Sequence, residues 1–185
     1  PVGYQEVCKA AVSKGILVNT IHCGSEQDGI DGKWKDGAVL ADGRYLNIDH
    51  NRQIVHIPAP QDQEIARLGV VLNDTYVPFG ADGIAAQARQ MAQDNNAAIA
   101  SPQANLQRAV TKSSPYYTNG SWDLVDAVKG KQVDLSEIKK EQLPERMQEM
   151  SVDQRRAYVT GKANERTEIQ AKIQQLNTQR NQFIV

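Results

Sequence analysis

The chain has 185 residues, enough for one ordinary domain or two small ones, and an apolar content of 40% supports a folded core. A mean hydropathy of -0.54 excludes a membrane protein, and no apolar run reaches the ~20 residues of a spanning helix. The formal net charge of -1 gives no electrostatic reason to expect binding to nucleic acid or to an acidic membrane surface.

The two ends of the chain differ in character. Pro1 opens the sequence with neither an initiator Met nor a signal peptide. We therefore expect a piece of a larger protein, with any export signal lying upstream. Gln, Asn and Ala are frequent in the second half, and aromatic residues make up only 5% of the chain. This composition predicts a helical second half with a thin core.

The first part of the chain predicts two successive helix–strand units. Residues 4–14 have helical apolar spacing and close on Lys-Gly, a common helix end. Residues 16–21 are almost continuously apolar and β-branched, typical of a parallel strand buried on both faces. Residues 24–32 predict a loop, residues 34–40 a short helix, and the alternating residues 44–49 a strand nearer the sheet edge. This order predicts an α/β fragment with right-handed crossovers.

The middle of the chain predicts a linker and then two helices. Residues 50–60 predict a short strand and a Pro-bounded linker. Residues 61–77 carry apolar side chains at helical spacing, namely Ile65, Leu68, Val71, Leu72 and Tyr76. After a break at residues 79–83, helical spacing resumes at Ile84, Ala88, Met91 and Ala98. Ser101-Pro102 is either a kink or an N-cap with Pro in the first turn.

The last part of the chain predicts short helices and one long one. Residues 116–120 predict a turn, and Ser121 is the expected cap of the helix that follows. Residues 131–150 predict short helices. Ser151 and Gln154 predict a capping box for a long final helix. Its apolar stripe is Ile169, Ile173, Leu176 and Phe183.

These elements predict three regions. Residues 1–57 are an α/β fragment, the last strands and helices of a Rossmann-like sheet. Residues 58–150 are a mostly helical extension. Residues 151–185 are a long C-terminal helix with coiled-coil character.

The histidines and acidic residues do not form a metal-binding pattern. His22, His50 and His56 lack the close helical pairing of a zinc site, and the chain has no Cys-x-x-Cys. The acidic stretch at 28–32 has Ile30 at a ligand position and no closing Glu of a calcium loop. We expect ordinary loop and helix-capping roles for these residues, with no metal and no cofactor.

No pattern indicates a catalytic centre either. Adjacent strand residues point to opposite faces, so His22 cannot serve as a base for Cys23. Tyr116, Tyr117 and Trp122 could stack on a sugar or a base, but helical spacing around Trp122 favours packing in the core. The sequence therefore predicts no catalytic, cofactor-binding or metal-binding residues.

The two cysteines are predicted to remain unpaired with each other. The helix returns ~9 Å from its end to Cys8, whereas the strand advances ~23 Å to Cys23. A disulfide requires Cα atoms within ~7 Å. Only a sharply folded loop would allow the bridge.

Two segments of the α/β part match a known pattern. Residues 15–24 read Gly-Ile-Leu-Val-Asn-Thr-Ile-His-Cys-Gly, and after a short Trp-bearing helix residues 41–49 read Ala-Asp-Gly-Arg-Tyr-Leu-Asn-Ile-Asp. This part resembles the closing units of a von Willebrand factor A (vWA) domain. The remainder, including residues 122–127 and 143–166, resembles the C-terminal extension of a group of bacterial vWA-domain proteins.

The resemblance implies no ligand site on this chain. Ligand-binding vWA domains hold Mg²⁺ with an Asp-x-Ser-x-Ser loop and with Thr and Asp from later loops. No Asp-x-Ser-x-Ser occurs here, and all three loops precede the matched part. Mg²⁺ binding is therefore expected only in a full-length parent.

The resemblance implies a non-catalytic binding or scaffolding protein of the bacterial cell envelope, placed in the periplasm or at the cell surface. The alternative is an accessory or regulatory subunit of an intracellular enzyme or of a metal-insertion or chaperone machine. A stand-alone hydrolase is disfavoured because Cys23 and His56 have no base–orienter partner in the sequence.

The α/β fragment is also expected to need a partner. An interior parallel strand left at a sheet edge favours strand addition or self-association. One alternative is that the tail helices cover the sheet through Ile65, Leu68 and Leu72. The other is that two chains pair, with the long helix offering a second contact through its apolar stripe.

Overall fold

The computed structural model describes residues 3–49 and 56–185. The chain divides into two compact units, residues 1–55 and residues 56–185, called here the α/β unit and the helical unit. The fold is mixed α/β and mostly helical, with a two-stranded parallel sheet and a long C-terminal helix. This coarse fold class agrees with the prediction. The strand predicted at the start of 50–60 falls outside the described residues, as does His50.

The α/β unit alternates helices and strands in the predicted order, with one helix more than predicted. Its elements are α1 (Tyr4–Val12), β1 (Thr20–Cys23), α2 (Glu26–Asp31), α3 (Trp34–Leu40) and β2 (Tyr45–Ile48). The strands pair in parallel, with Thr20 opposite Tyr45 and Cys23 opposite Ile48. Helices α2 and α3 pack on the sheet, and α1 packs on α3. Helices therefore cover one face of the sheet.

The first strand lies further along the chain than predicted. The apolar run at 16–21 was expected to pair, whereas residues 20–23 do so. Ile16 and Leu17 are 53% and 65% exposed, so the prediction of a strand buried on both faces is wrong for them. The N–H of Ile16 bonds back to the carbonyl of Ala11 at 3.0 Å, which keeps this residue in the helix end rather than in the sheet.

Residues 24–32 contain helix α2 where the sequence predicted a loop. The Ser25 side chain caps this helix by accepting the N–H of Asp28 at 3.1 Å. A Cβ on Gly29 would lie 1.9 Å from the hydroxyl oxygen of Tyr45. The glycine that suggested a loop therefore allows α2 to pack closely on the sheet.

Gly43 connects α3 to β2 at a point where two backbone segments touch. A Cβ on Gly43 would lie 2.0 Å from the carbonyl oxygen of Val18. The backbone of Val18 is also held by its N–H bond to Ala41 at 3.2 Å, so it cannot easily move away. Gly37 in the middle of α3 differs, because the nearest atom to its Cβ position is 3.8 Å away.

Gly43→Ala should lower the stability of the α/β unit by about 1 to 3 kcal/mol, the usual cost of overpacking. Gly37→Ala is the matched control and should be neutral or stabilising by up to ~1 kcal/mol, since Ala favours a helix. Hydrogen exchange of residues 3–49 in a urea series measures both effects. Equal protection in the two variants would contradict the close approach at Gly43.

The helical unit consists of six helices and two 3₁₀ turns in the described chain. They are α4 (Asp62–Val71), a turn (Leu72–Thr75), α5 (Gly83–Ala100), α6 (Pro102–Lys112), α7 (Leu124–Lys129), a turn (Lys140–Gln142), α8 (Glu145–Gln148) and α9 (Val152–Phe183). The helix predicted over 61–77 thus ends as a tighter 3₁₀ turn.

Side-chain caps set the starts of three of these helices. The Ser101 side chain caps α6 with a Pro in the first turn, which decides between the two predicted alternatives. Ser151 and Gln154 form the predicted capping box of α9. Helix α7 is capped by Asp123 rather than by Ser121, so that prediction is wrong by two residues.

Two apolar clusters form the core of the helical unit. The first joins α4, α6 and α9 through Ile65, Leu68, Leu72, Tyr76, Leu106, Ala109, Ile169 and Ile173. The second joins α7, α8 and the start of α9 through Val77, Leu124, Val125, Leu135, Leu143, Met147 and Val159. The α4 side chains expected to cover the sheet are therefore buried in the helical unit's own core, so that expectation is wrong.

The apolar stripe of α9 is shorter than predicted. Ile169 and Ile173 are buried, and Leu176 packs at the edge of the first cluster. Phe183 is 58% exposed, whereas Arg180 takes a buried position with 4% exposure. Ile169 and Ile173 therefore pack within one chain, and the pairing of two chains through the stripe stays a prediction.

Candidate functional site

His22 and Cys23 lie on opposite faces of β1, as strand geometry predicts. On the covered face, the Nδ1 of His22 is 3.1 Å from the Oδ1 of Asn47, and its ring centroid is 5.9 Å from that of Trp34. Asn47 in turn donates to the carbonyl of Gly24 at 3.1 Å. Cys23 is an exposed thiol on the other face. The pair does not form a base–nucleophile arrangement.

Cys8 and His56 are also held by contacts within the fold. Cys8 is buried and its Sγ donates to the carbonyl of Gly37 at 3.4 Å, so both thiols are free, the arrangement predicted from the spacing. The two ring nitrogens of His56 lie 3.2 Å from Asp62 and 3.1 Å from Gln103. Within residues 3–49 and 56–185, no group of three or more His, Cys, Asp or Glu could hold a metal ion.

In the described part of the chain, no helix combines the length and the apolar character needed to cross a membrane.

The aromatic residues near 120 divide between core and surface. Trp122 packs on Tyr76 with ring centroids 5.6 Å apart, so its predicted core role is confirmed. Tyr117 is covered by the guanidinium of Arg108, 5.3 Å from its ring centroid. Tyr116 is 92% exposed and belongs to no core cluster of the described residues. The three rings do not form one stacking platform.

The uncovered face of the sheet is apolar. We call Ile21, Cys23, Leu46 and Ile48 the outer sheet face. Ile21 lies directly opposite Leu46, and Cys23 opposite Ile48. Ile21 is 50% exposed, and Leu46 and Ile48 are each 55% exposed. Parallel sheets are normally covered on both faces, so an apolar face open to solvent is unusual.

The edge of β1 away from β2, which pairs with no other strand in the described part of the chain, adds backbone groups to this surface. On the paired edge, the N–H of Thr20 donates to the carbonyl of Arg44 at 3.0 Å. In a parallel pair, alternate residues direct their backbone groups to opposite edges. The N–H and C=O groups of Ile21 and Cys23 therefore face away from β2, where they can accept another strand.

The buried guanidinium of Arg166 joins α9 to α7 and to the Leu72–Thr75 turn. We call Arg166 with Asp123, Asp126 and Thr75 the arginine cluster. Arg166 donates through Nη1 to Asp123 at 2.7 Å and to Asp126 at 2.9 Å. Its Nε and Nη2 donate to the hydroxyl and carbonyl oxygens of Thr75 at 3.0 and 2.7 Å. It also lies 4.2 Å from the ring centroid of Tyr76. With a further bond from Nη2 to Asp123 at 3.2 Å, all five of its N–H groups have partners.

The carboxylates of this cluster are tied to the backbone as well. Asp123 is fully buried and accepts the N–H groups of Val77 and Asp126 at 2.7 and 3.0 Å. Two carboxylates share one guanidinium, so the cluster carries one excess negative charge. Burial raises the pKa of Asp126, although the N–H of Asn119 and the charge of Arg166 oppose this shift.

A cavity of about 450 Å³ opens beside the arginine cluster. Its lining includes Asp126, Lys129, Thr167 and Gln170. One oxygen of Asp126 already accepts from Arg166, and the other accepts the N–H of Asn119 at 2.7 Å. Both carboxylate oxygens of Asp126 are therefore engaged in holding the fold, and the arginine cluster acts as a structural clamp.

A second buried charge cluster joins α4, α5 and α6. The ammonium group of Lys112, which is 1% exposed, donates to Gly69, Asn73 and Asp94 at 2.9, 2.7 and 2.5 Å. Arg108 donates to the other oxygen of Asp94 at 2.8 Å. The three donors of the ammonium group are all used.

These contacts shift two pKa values. Burial lowers the pKa of Lys112, against the opposing effect of its Asp94 partner. Burial alone would raise the pKa of Asp94, but the hydrogen bonds from Lys112, Asn73 and Arg108 and the charge of Lys112 outweigh it, so this pKa is lowered. The lowered pKa keeps the Asp94 carboxylate ionised at neutral pH.

These charge clusters were not predicted from the sequence, although the spacing of the arginines in α9 points to one of them. Arg166, Ile169, Ile173 and Arg180 recur at steps of three, four and seven, so both arginines lie on the apolar side of α9. Arg180 donates to Asp62 at 2.6 Å. Helical spacing identifies the buried arginines, but the partner carboxylates are too distant in sequence to be paired by spacing.

In comparisons with known proteins, no family model matches the chain, and neither does a curated protein or a solved structure. The vWA resemblance therefore rests on the residue patterns of the sequence alone.

Replacing Arg166 by Met should lower the free energy of unfolding by about 3 to 5 kcal/mol, because two buried carboxylates lose their cation. Arg156→Met is the matched control on the same helix. Its exposed ion pair with Asp153 should contribute about 0 to 1 kcal/mol. Urea unfolding followed by circular dichroism measures both. A small effect at Arg166 would contradict the clamp.

The contribution of Asp94 to stability should depend on pH. Its folded-state pKa is lowered, so its contribution is present above the ordinary carboxyl pKa and is lost as pH falls through the folded value. Asp94→Asn should therefore destabilise strongly at neutral pH and progressively less between about pH 5 and about pH 2. Asp153→Asn, at an exposed ion pair, is the matched control and should change stability little at neutral pH. The measurement is urea unfolding across pH, and a pH-independent Asp94→Asn effect would refute this account.

Proposed function

We propose that the chain is the C-terminal part of a vWA-domain protein and that it acts as a non-catalytic binding or scaffolding module through its outer sheet face. The parallel pairing and the helix–strand order are compatible with the closing units of such a domain. The proposed location in the bacterial cell envelope follows from the resemblance alone.

One observation carries the binding proposal, namely the direction of the apolar side chains in the sheet. Along both strands, the apolar residues Ile21, Leu46 and Ile48 face outward, while polar residues such as His22 and Asn47 face the helices. A free-standing layer of helices on a sheet would place the apolar side inward. The reversed pattern favours a second protein layer on the outer sheet face.

The topology also favours one edge for strand addition. Helix α1 packs beside α3 on the same side of the sheet. Right-handed crossovers on one side move the chain in one direction across a sheet. A strand preceding α1 would therefore pair with the free edge of β1, next to Ile21 and Cys23. In the isolated chain, a second copy can occupy the same apolar face.

Ile21→Glu combined with Leu46→Glu should abolish self-association, because charges replace a cross-strand apolar pair at the proposed contact. Light scattering over a wide dilution series should show an assembly for the unmodified chain and a monomer for the double variant. Val39→Glu is the matched control, since Val39 is 66% exposed but lies on α3. A monomeric unmodified chain at every concentration would contradict self-association through this face.

A further inference from the structure

The helical unit has an open groove between α4 and α5, with α6 as its floor. Both α4 and α5 pack against α6. The groove encloses about 180 Å³, and its walls are Ala66, Gly69, Val70, Met91, Asn95 and Ala98. A Cβ on Gly69 would lie 2.7 Å from that of Ala109, so α4 approaches the floor closely. Small side chains, among them Ala66, Gly69 and Ala98, line much of the groove.

The rim of this groove is apolar and exposed. Val70 on α4 is 67% exposed, and Met91 on α5 is 49% exposed. Ile84 lies on the same side of α5 beyond the groove lining and is 80% exposed. Ile84, Met91 and Ala98 are spaced by sevens and lie along one side of α5, a stripe ~21 Å long. The sequence pattern placed these residues on one face correctly. The buried face of α5 is instead Gly83, Ala86 and Gln90.

The floor of the groove carries excess positive charge. Asp94 is the single carboxylate among the described lining residues, facing Arg108 and Lys112. Lys112 has no donor left, since its three partners are Gly69, Asn73 and Asp94. Arg108 uses Nε for Asp94 and Nη2 for Tyr117. Its Nη1 has no partner among the described residues, and one positive charge is not balanced.

We propose that this groove binds one amphipathic helix of a partner protein, with apolar residues against Val70 and Met91 and a carboxylate directed at Arg108. An exposed apolar stripe of several turns suits a helix laid in a groove. The excess positive charge selects an acidic helix over a basic one. A second copy is disfavoured, because two-fold pairing would bring two cationic floors together.

The test is selection of helical peptides of about 14 residues, long enough to span the stripe at 1.5 Å per residue. A displayed library with a fixed apolar i, i+3, i+7 pattern and random remaining positions is selected against the full chain. Enriched peptides should carry Glu or Asp beside the apolar pattern. Changing that acid to Lys in an enriched peptide should weaken binding about tenfold or more.

Variants of the groove locate the binding. Met91→Glu and Val70→Glu should each weaken an enriched acidic peptide about tenfold, through lost apolar contact and like-charge repulsion. Ile99→Glu is the matched control, because Ile99 is 85% exposed on the same helix but does not line the groove. Circular dichroism establishes that each variant is folded.

Three results would overturn the proposal. They are a selection without enrichment or with basic peptides, equal binding to Met91→Glu and Ile99→Glu, and loss of self-association in Met91→Glu. The last result would make the groove a contact between copies. Self-association through the outer sheet face is expected to persist in Met91→Glu, so failure here is distinguishable from failure of the proposed function.

Discussion

Burial of the Arg166 guanidinium is the constraint around which the helical unit is arranged. A buried cation without partners would cost several kcal/mol, so each of its N–H groups must meet an oxygen. Those oxygens come from Asp123, Asp126 and Thr75, which lie in different parts of the chain. Asp123 also caps α7 and holds the N–H of Val77. Asp123 thus sets where α7 begins. Arg166 sets where the Leu72–Thr75 turn lies against α9.

The buried arginines of α9 explain how a helix with few buried apolar residues can keep a single register against its neighbours. Between the arginines, Ile169 and Ile173 are the fully packed apolar residues. Branched aliphatic residues at repeated spacing tolerate a shift along the helix, whereas a buried arginine does not. Arg166 and Arg180 lie two heptads apart and bind carboxylates on separate elements. A one-turn slip would leave both arginines and their acids unpaired in the core, so the charges favour a single register.

Local signals in the sequence identified most elements, and tertiary contacts explain the differences. Helix caps depend on residues that are neighbours in the sequence. The capping box of Ser151 and Gln154 could therefore be predicted for α9, and Ser101 before Pro102 was one of two alternatives for the start of α6. Helix α2 was not, because Gly29 resembles a loop residue until Tyr45 is seen to occupy the space of its side chain.

The same reasoning applies to the buried faces and to the clusters. Spacing alone places Ile84 and Met91 on one side of α5, but it cannot tell that the buried residues are Gly83, Ala86 and Gln90 instead. The arginine cluster joins residues as distant as Thr75 and Arg166. Such pairings depend on the folded chain and leave only a weak local trace, namely a charge on an apolar stripe.

The two units place their apolar side chains in opposite ways. In the helical unit, Ile169 and Ile173 of α9 are buried, and the buried arginines of the same helix are paired with carboxylates. In the α/β unit, the covered face is held by polar contacts such as His22 with Asn47 and the Thr20 hydroxyl with the carbonyl of Trp34 at 2.7 Å. Hydrogen bonds of this kind contribute about 1 kcal/mol each. They specify how α2 and α3 sit on the sheet without burying the apolar side chains of the strands.

The exposed apolar side chains of the sheet therefore remain available for contacts outside the described α/β unit. Each strand contributes only four paired residues, and a two-stranded sheet of this length is marginal without further packing. Covering Ile21, Leu46 and Ile48 would remove apolar surface from water at about 25 cal/mol per Å². That gain needs no change in the polar face, because alternating side chains separate the two faces. A partner bound to the outer sheet face, as proposed, would therefore leave the helices in their positions.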